Sequence, residues 1–178
     1  DIHAAPSGTD KFLGYTSNGM EWAVPPDTGK ILQYQHAHDV SGSTNTTGTT
    51  WIDTHITDSI TTTKANTKIY VAVNFRVWGR RYARGGNNIG TRLRRDEGTA
   101  DQYIDSNNTR LHHIDNHNVS GNSEFTYNWT GSHLWVDEPA KSSGSTITYY
   151  LQIVCQNNSS SQIIQVDTSQ IILMELDV

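Results

Sequence analysis

Between Ile69 and Trp78 the chain alternates without a slip. Ile69, Val71, Val73, Phe75 and Val77 fall on one side of an extended strand, and Tyr70, Ala72, Asn74, Arg76 and Trp78 on the other. A helix would spread the same apolar residues around its circumference, so the run is a strand with one face in a core. The pattern returns where Ile147, Tyr149, Leu151, Ile153 and Cys155 oppose Thr148, Tyr150, Gln152 and Val154. Here the second face is less polar, which implies burial on both sides, as in a central strand or at a subunit contact. The final third reads as three strands. The last ends on the run Ile171, Ile172, Leu173, Met174, Glu175, Leu176 and is expected to tie the end of the sequence into a sheet.

Shorter segments at KILQYQHAH, TWIDTHITDSITTT, NNIGTRLRR, RLHHIDNH, SEFTYNW and HLWVDE extend the pattern. SGSTNTTGT reads as a connector after the first, and turns are expected at Gly85-Gly86, Ser106-Asn107-Asn108, Gly121-Asn122 and Ser143-Gly144. Roughly nine or ten short strands with turn signals every ~8–12 residues describe an all-β fold, an antiparallel β-sandwich of jelly-roll type. No helical period separates the strands, which excludes a parallel α/β sheet, and no fixed-period repeat suggests a solenoid. Asn, Ser and Thr are abundant while Ala, Leu, Glu and Lys are scarce, a composition that disfavours long helices. Apolar residues make up 34% of the chain, so the core is expected to be thin.

The 178 residues suffice for one domain of ordinary size. Residues 30–178 are expected to form the sandwich, and residues 1–29 an extended, shaft-like or linking segment. In that segment Phe12, Leu13, Tyr15, Met20 and Trp22 stand isolated among turn signals such as Ser17-Asn18-Gly19 and Pro25-Pro26. The lone Cys155 excludes an internal disulfide, and no zinc-finger spacing occurs. No run approaches the ~20 apolar residues of a membrane-spanning helix, and the opening DIHAAPSGTD lacks the regions of a signal peptide. No membrane insertion is expected.

From Gly29 the sequence resembles the distal β-domains of bacteriophage tail fibres and related virion fibres. GKILQYQHAHDV leads through a Ser/Thr-rich loop to TWIDTHIT and then to TKIYVAV; RRYARGGNNIGTRLRR follows as an Arg-rich strand pair, and LWVDEPAKSSGSTITYYLQI precedes the IILME ending. Upstream, LGYTSNGMEW is similar to short hairpins of phage fibre shafts. The resemblance implies a fold like the tumour-necrosis-factor jelly rolls, a homotrimer, a place on the virion and a role in host attachment. The stretch between Arg95 and His133 departs from that pattern, being longer and richer in His and Trp. Trimerisation has a physical rationale too, because a thin core, a two-sided strand at 147–155 and uncovered N-terminal anchors leave apolar surface for partners to cover.

Seven of the eight arginines, Arg76, Arg80, Arg81, Arg84, Arg92, Arg94 and Arg95, lie in a stretch that contains no acid, within a chain of formal net charge -5. Six of them, Arg80, Arg81, Arg84, Arg92, Arg94 and Arg95, are candidates for binding phosphate or carboxylate groups of a host-surface polysaccharide, to which guanidinium forms bidentate bonds. The alternative is structural pairing with Asp96, Glu97, Asp101, Asp137 and Glu138. Nucleic acid is not expected as a partner of so acidic a chain without a nucleic-acid motif. Among the aromatics Trp78, Tyr82, Trp129 and Trp135, Trp129 is the best sugar-stacking candidate, with core packing as the alternative.

His36 and His38 share one face of a strand. This H-x-H resembles metal-binding rings in some phage fibre tips; the alternative is a pair of exposed histidines, and no metal or other cofactor is assigned. His112, His113 and His117 have no better claim. Asp137 and Glu138 point to opposite faces and cannot form the facing carboxylates of a glycosidase, and no nucleophile motif occurs. The expectation is a non-enzymatic virion fibre protein that recognises host polysaccharide as a trimer; the alternative is an architectural head or neck fibre, or a capsid decoration protein, whose partners are other virion proteins.

Overall fold

The computed structural model describes residues 12–16, 19–23, 29–81, 87–98, 102–103, 112–116, 125–155 and 162–177. Among them no helix occurs and every paired strand is antiparallel. β1 (Phe12–Thr16) and β2 (Gly19–Ala23) form a two-stranded hairpin in register from Phe12 opposite Ala23 to Thr16 opposite Gly19. Gly19 has φ +108°, a conformation that a side chain would strain, which is why the Ser-Asn-Gly signal marks this corner.

Two sheets make the sandwich. One runs β3 (Ile31–Thr46), β11 (Gln162–Leu176), β5 (Lys68–Arg81), β9 (Phe125–Asp137). The other runs β4 (Ile52–Thr61), β10 (Thr146–Cys155), β6 (Asn87–Asp96), with β7 (Gln102–Tyr103) and β8 (His112–Asn116) sharing the free edge of β6. From β3 to β6, and again from β9 to β11, successive strands cross from one sheet to the other, which gives a jelly-roll-like antiparallel sandwich.

The alternating faces meet in the core. Ile69, Val71, Val73, Phe75 and Val77 of β5 and Ile171 and Leu173 of β11 pack against Leu93 of β6 and Ile147, Tyr149, Leu151 and Ile153 of β10. Each such side chain contributes about 1.5–3 kcal/mol through the water it leaves. The two-sided burial expected of 147–155 is present: Leu151 to Cys155 are all buried, and β10 is a central strand flanked by β4 and β6. Its second face is therefore covered within one copy.

Two boundaries differ from the sequence expectation. SEFTYNW and HLWVDE form the single strand β9, because Gly131 at their junction continues the ladder opposite Phe75. A Cβ there would lie 2.6 Å from the Phe75 ring, so the absent side chain leaves room for a core aromatic. Most of the connector SGSTNTTGT is strand, since β3 runs to Thr46. It does so through a bulge in which Asp39 pairs with Ser169 and Ser43 with Asp167. Asp39 Oδ1 accepts the backbone N–H groups of Gly42 and Ser41, both at 2.8 Å, and these bonds hold its carboxyl below the usual carboxylate range.

Buried polar groups pin the sheets together. Glu175 is fully buried at the end of β11 and accepts bonds from the Thr63 N–H, the Thr63 and Thr67 hydroxyls and Gln33 Nε2, at 2.7–3.0 Å. Burial pushes its carboxyl up, but the Gln33, Thr63 and Thr67 donors outweigh it and the net shift is downward. The carboxylate thus staples the β4–β5 loop to the last strand.

Candidate binding surfaces

The Arg-rich segment divides by strand alternation. Arg92 and Arg94 lie on the outer face of the five-stranded sheet and Arg95 on the inner face, where it sits opposite Tyr149. Arg95 Nη1 donates to both oxygens of Asp137 at 2.7 Å, and its Nη2 to Glu97 at 3.2 Å. Tyr149 donates to Asp137 at 2.7 Å, and Lys141 pairs with Glu97. Burial, then the Asp137 charge, push the Tyr149 phenol up, so it stays a donor. The group joins β6, β9 and β10 across the sandwich, which is the pairing alternative raised from sequence.

On the outer face Arg92 and Arg94 are only 4% and 7% exposed. Arg94 grips Asp53 bidentately, Nε to Oδ1 at 3.1 Å and Nη2 to Oδ2 at 2.7 Å, and its guanidinium lies 4.3 Å from the centre of the Tyr150 ring. Arg92 donates to Gln152 Oε1 at 2.7 Å and lies 4.2 Å over the Trp51 ring. Gln152 Nε2 closes the network on Asp53 Oδ1 at 2.8 Å. The two cations are held between rings and planar acceptors, while Asp53 is exposed and Trp51 and Tyr150 are half-buried. A carboxylate and two aromatic rings at a surface can accept sugar hydroxyls and stack on a pyranose face. Trp51, Asp53, Tyr150 and Gln152 were not among the binding candidates read from sequence. The available signal was spacing: Trp51 with Asp53, and Tyr150 with Gln152, each stand two apart and so share a strand face.

The remaining candidates are placed less fully. Arg80 and Arg81 belong to β5, opposite Thr126 and Phe125, but their side chains, and all of Arg84, lie outside the described residues. Trp129 is half-buried against the core, opposite Val77. Asp137 is buried and Glu138 exposed, on opposite faces as expected. Of the second histidine cluster, His112 and His113 pair with Thr91 and Gly90, and their side chains and His117 lie outside the described residues. Burial pushes the Cys155 thiol up to about 11.

The outer face of the four-stranded sheet has another character. Across β3, β11, β5 and β9 the register sets Tyr34, Met174, Tyr70 and Val136 in one row and His36, Ile172, Ala72 and Leu134 in the next. A third row is His38, Gln170, Asn74 and Ser132. None of the twelve is an Asp, Glu, Lys or Arg. Leu134 is 62% exposed, Tyr34 55% and Val136 47%. At the third row lies a cleft of about 470 Å³, lined by His38, Asn74, Arg76, Ser132 and Gln170 among others. Among the described residues, no group of three or more His, Cys, Asp or Glu converges as metal ligands would.

No family model and no curated protein matches this sequence. Among solved structures, the chain is similar to the Eiger TNF of S. frugiperda, with TM-score 0.43 and 8% identity over 84% of this chain and 96% of that one. It is similar to a chain of the infectious bursal disease virus Gx strain, with TM-score 0.40 and 8% identity over 98% of this chain and 46% of that one. A third likeness is the CBM22-1 xylan-binding domain of Paenibacillus barcinonensis Xyn10C, with TM-score 0.27 and 14% identity over 85% and 98%. At these scores the likenesses say nothing of what this chain binds.

Proposed function

We propose that this chain is a non-enzymatic virion fibre domain that assembles as a homotrimer and recognises polysaccharide on the host surface. The observation that carries the reading is the uncharged outer face of the four-stranded sheet, where a single copy leaves Tyr34, Leu134 and Val136 in water. Such a face is the composition of an interface centre, depleted of charge and enriched in aromatic and aliphatic residues. Repeated display follows from assembly. Three weak sugar contacts on one rigid particle bind together far more tightly than one, without stronger chemistry at any site. The contacts themselves are assigned to the opposite flank, where Asp53, Trp51 and Tyr150 are presented over Arg92 and Arg94.

The purified protein added to susceptible cells is expected to coat them and to block virion adsorption. An architectural subunit of a head or neck fibre, or a capsid decoration protein, would do neither, and release of reducing sugar from host polysaccharide would mark an enzyme instead.

A further inference from the structure

Along β3 the rings of Tyr34, His36 and His38 stack in a ladder, with centroids 6.2 and 6.3 Å apart and planes within 13° and 11°. The middle ring lies in the row of Ile172, Ala72 and Leu134. The charges that border this face are consumed within the chain. Lys68 pairs with Glu138 at 2.7 Å beyond the first row, and Arg76 with Asp167 at 3.3 Å beyond the third. Among the described residues, a foreign partner of opposite charge would find the ions that border these rows already paired, whereas a second copy brings rows equally free of ions and loses none to desolvation.

We infer that copies of this chain assemble through the outer face of the four-stranded sheet, and that His36 and His38 make the assembly proton-linked. The inference rests on the trimeric reading of the domain. The groups around the two imidazoles offer an added proton little compensation. On their own strand Tyr34 offers only a phenol, and Asp39, facing the other side, is engaged by Ser41 and Gly42. β11 contributes Gln170, Ile172 and Met174, and β5 contributes Tyr70 and Asn74. Glu138, just past the end of β9, is tied to Lys68, Asp137 of β9 is buried on the inner face with Arg95, and on β4 His55 is bonded to Thr44 at 2.9 Å. Three copies bring six imidazoles, in two adjacent rows, to the assembled faces. Neutral rings stack there without cost, while imidazolium ions repel one another and resist leaving water.

The test is sedimentation velocity of the intact chain at pH 8 and pH 5, with circular dichroism confirming the fold of each sample. The expected result is an assembled species at pH 8 whose dissociation constant rises by roughly tenfold or more at pH 5, since imidazole is the side chain that gains a proton across this range. Leu134→Lys and, independently, Val136→Lys are expected to remain folded and single-copy at pH 8, because both positions are exposed in one chain. The double variant His36→Asn, His38→Asn is expected to assemble equally at both pH values. A single-copy wild type at pH 8 overturns the trimeric reading and the inference together. Assembly that survives both lysine variants overturns this surface and leaves the trimeric reading standing. Assembly of the wild type that is unchanged at pH 5, or a pH response that persists in the double variant, overturns the proton link alone.

Discussion

The two outer faces of the sandwich differ in how they treat large side chains. On the five-stranded sheet, Trp51 and Tyr150 are each covered by a guanidinium, and the guanidiniums are met by Asp53 and Gln152, so the face is largely completed within one copy. On the four-stranded sheet, Tyr34, Leu134 and Val136 stand exposed in rows that contain no ion. The contrast teaches that apolar surface alone does not locate an assembly interface. What matters is whether the chain supplies its own cover. The strand that looked two-sided from sequence, β10, is closed by its own chain, and the exposed rows lie on the opposite sheet.

The strongest challenge to this contrast is Glu175→Gln, which changes neither outer row and removes the staple between the β4–β5 loop and β11. It is expected to lower stability by about 2–3 kcal/mol at neutral pH, since several buried donors lose a charged acceptor. Because the folded carboxyl titrates below its ordinary value, its contribution is complete above pH ~4.3 and drains away as the pH falls through the folded value. Denaturant melts of both proteins should therefore converge in acid.

Asp53→Ala should cost about 2 kcal/mol, less than a fully buried pair because Asp53 is partly in water, while assembly at pH 8 persists. Loss of assembly in this variant would merge the two faces into one function. The smallest effect on stability is expected from Leu134→Lys, within about 0.5 kcal/mol by the same melts under conditions where the wild type is single-copy. A large loss there would show that the exposed row supports the fold of the isolated chain.

Much of this was legible in the residues themselves. The alternation at 69–78 and 147–155 identified two strands and their core faces, because a period of two has no other regular explanation. The Asp137/Glu138 split followed from the same rule. The junction in β9 was not legible, since Gly131 reads as a break until Phe75 is found beneath it. The bulge at Asp39 was hidden for a like reason: the side chain that bends β3 does so by bonding the backbone, and the extra residues show only against β11.

For the candidate sites, residue order alone places seven arginines in one acid-free stretch and turns His36 and His38 the same way. What meets these side chains depends on the folded chain. Arg95 finds Asp137 from the other sheet, Arg94 finds Asp53 from two strands away, and His36 finds Ile172 beside it with Leu134 further along the row. Side-chain direction is set within a few residues by the pleat of the strand, whereas a partner's identity depends on sheet order and register. Those are fixed by contacts between segments far apart in the chain.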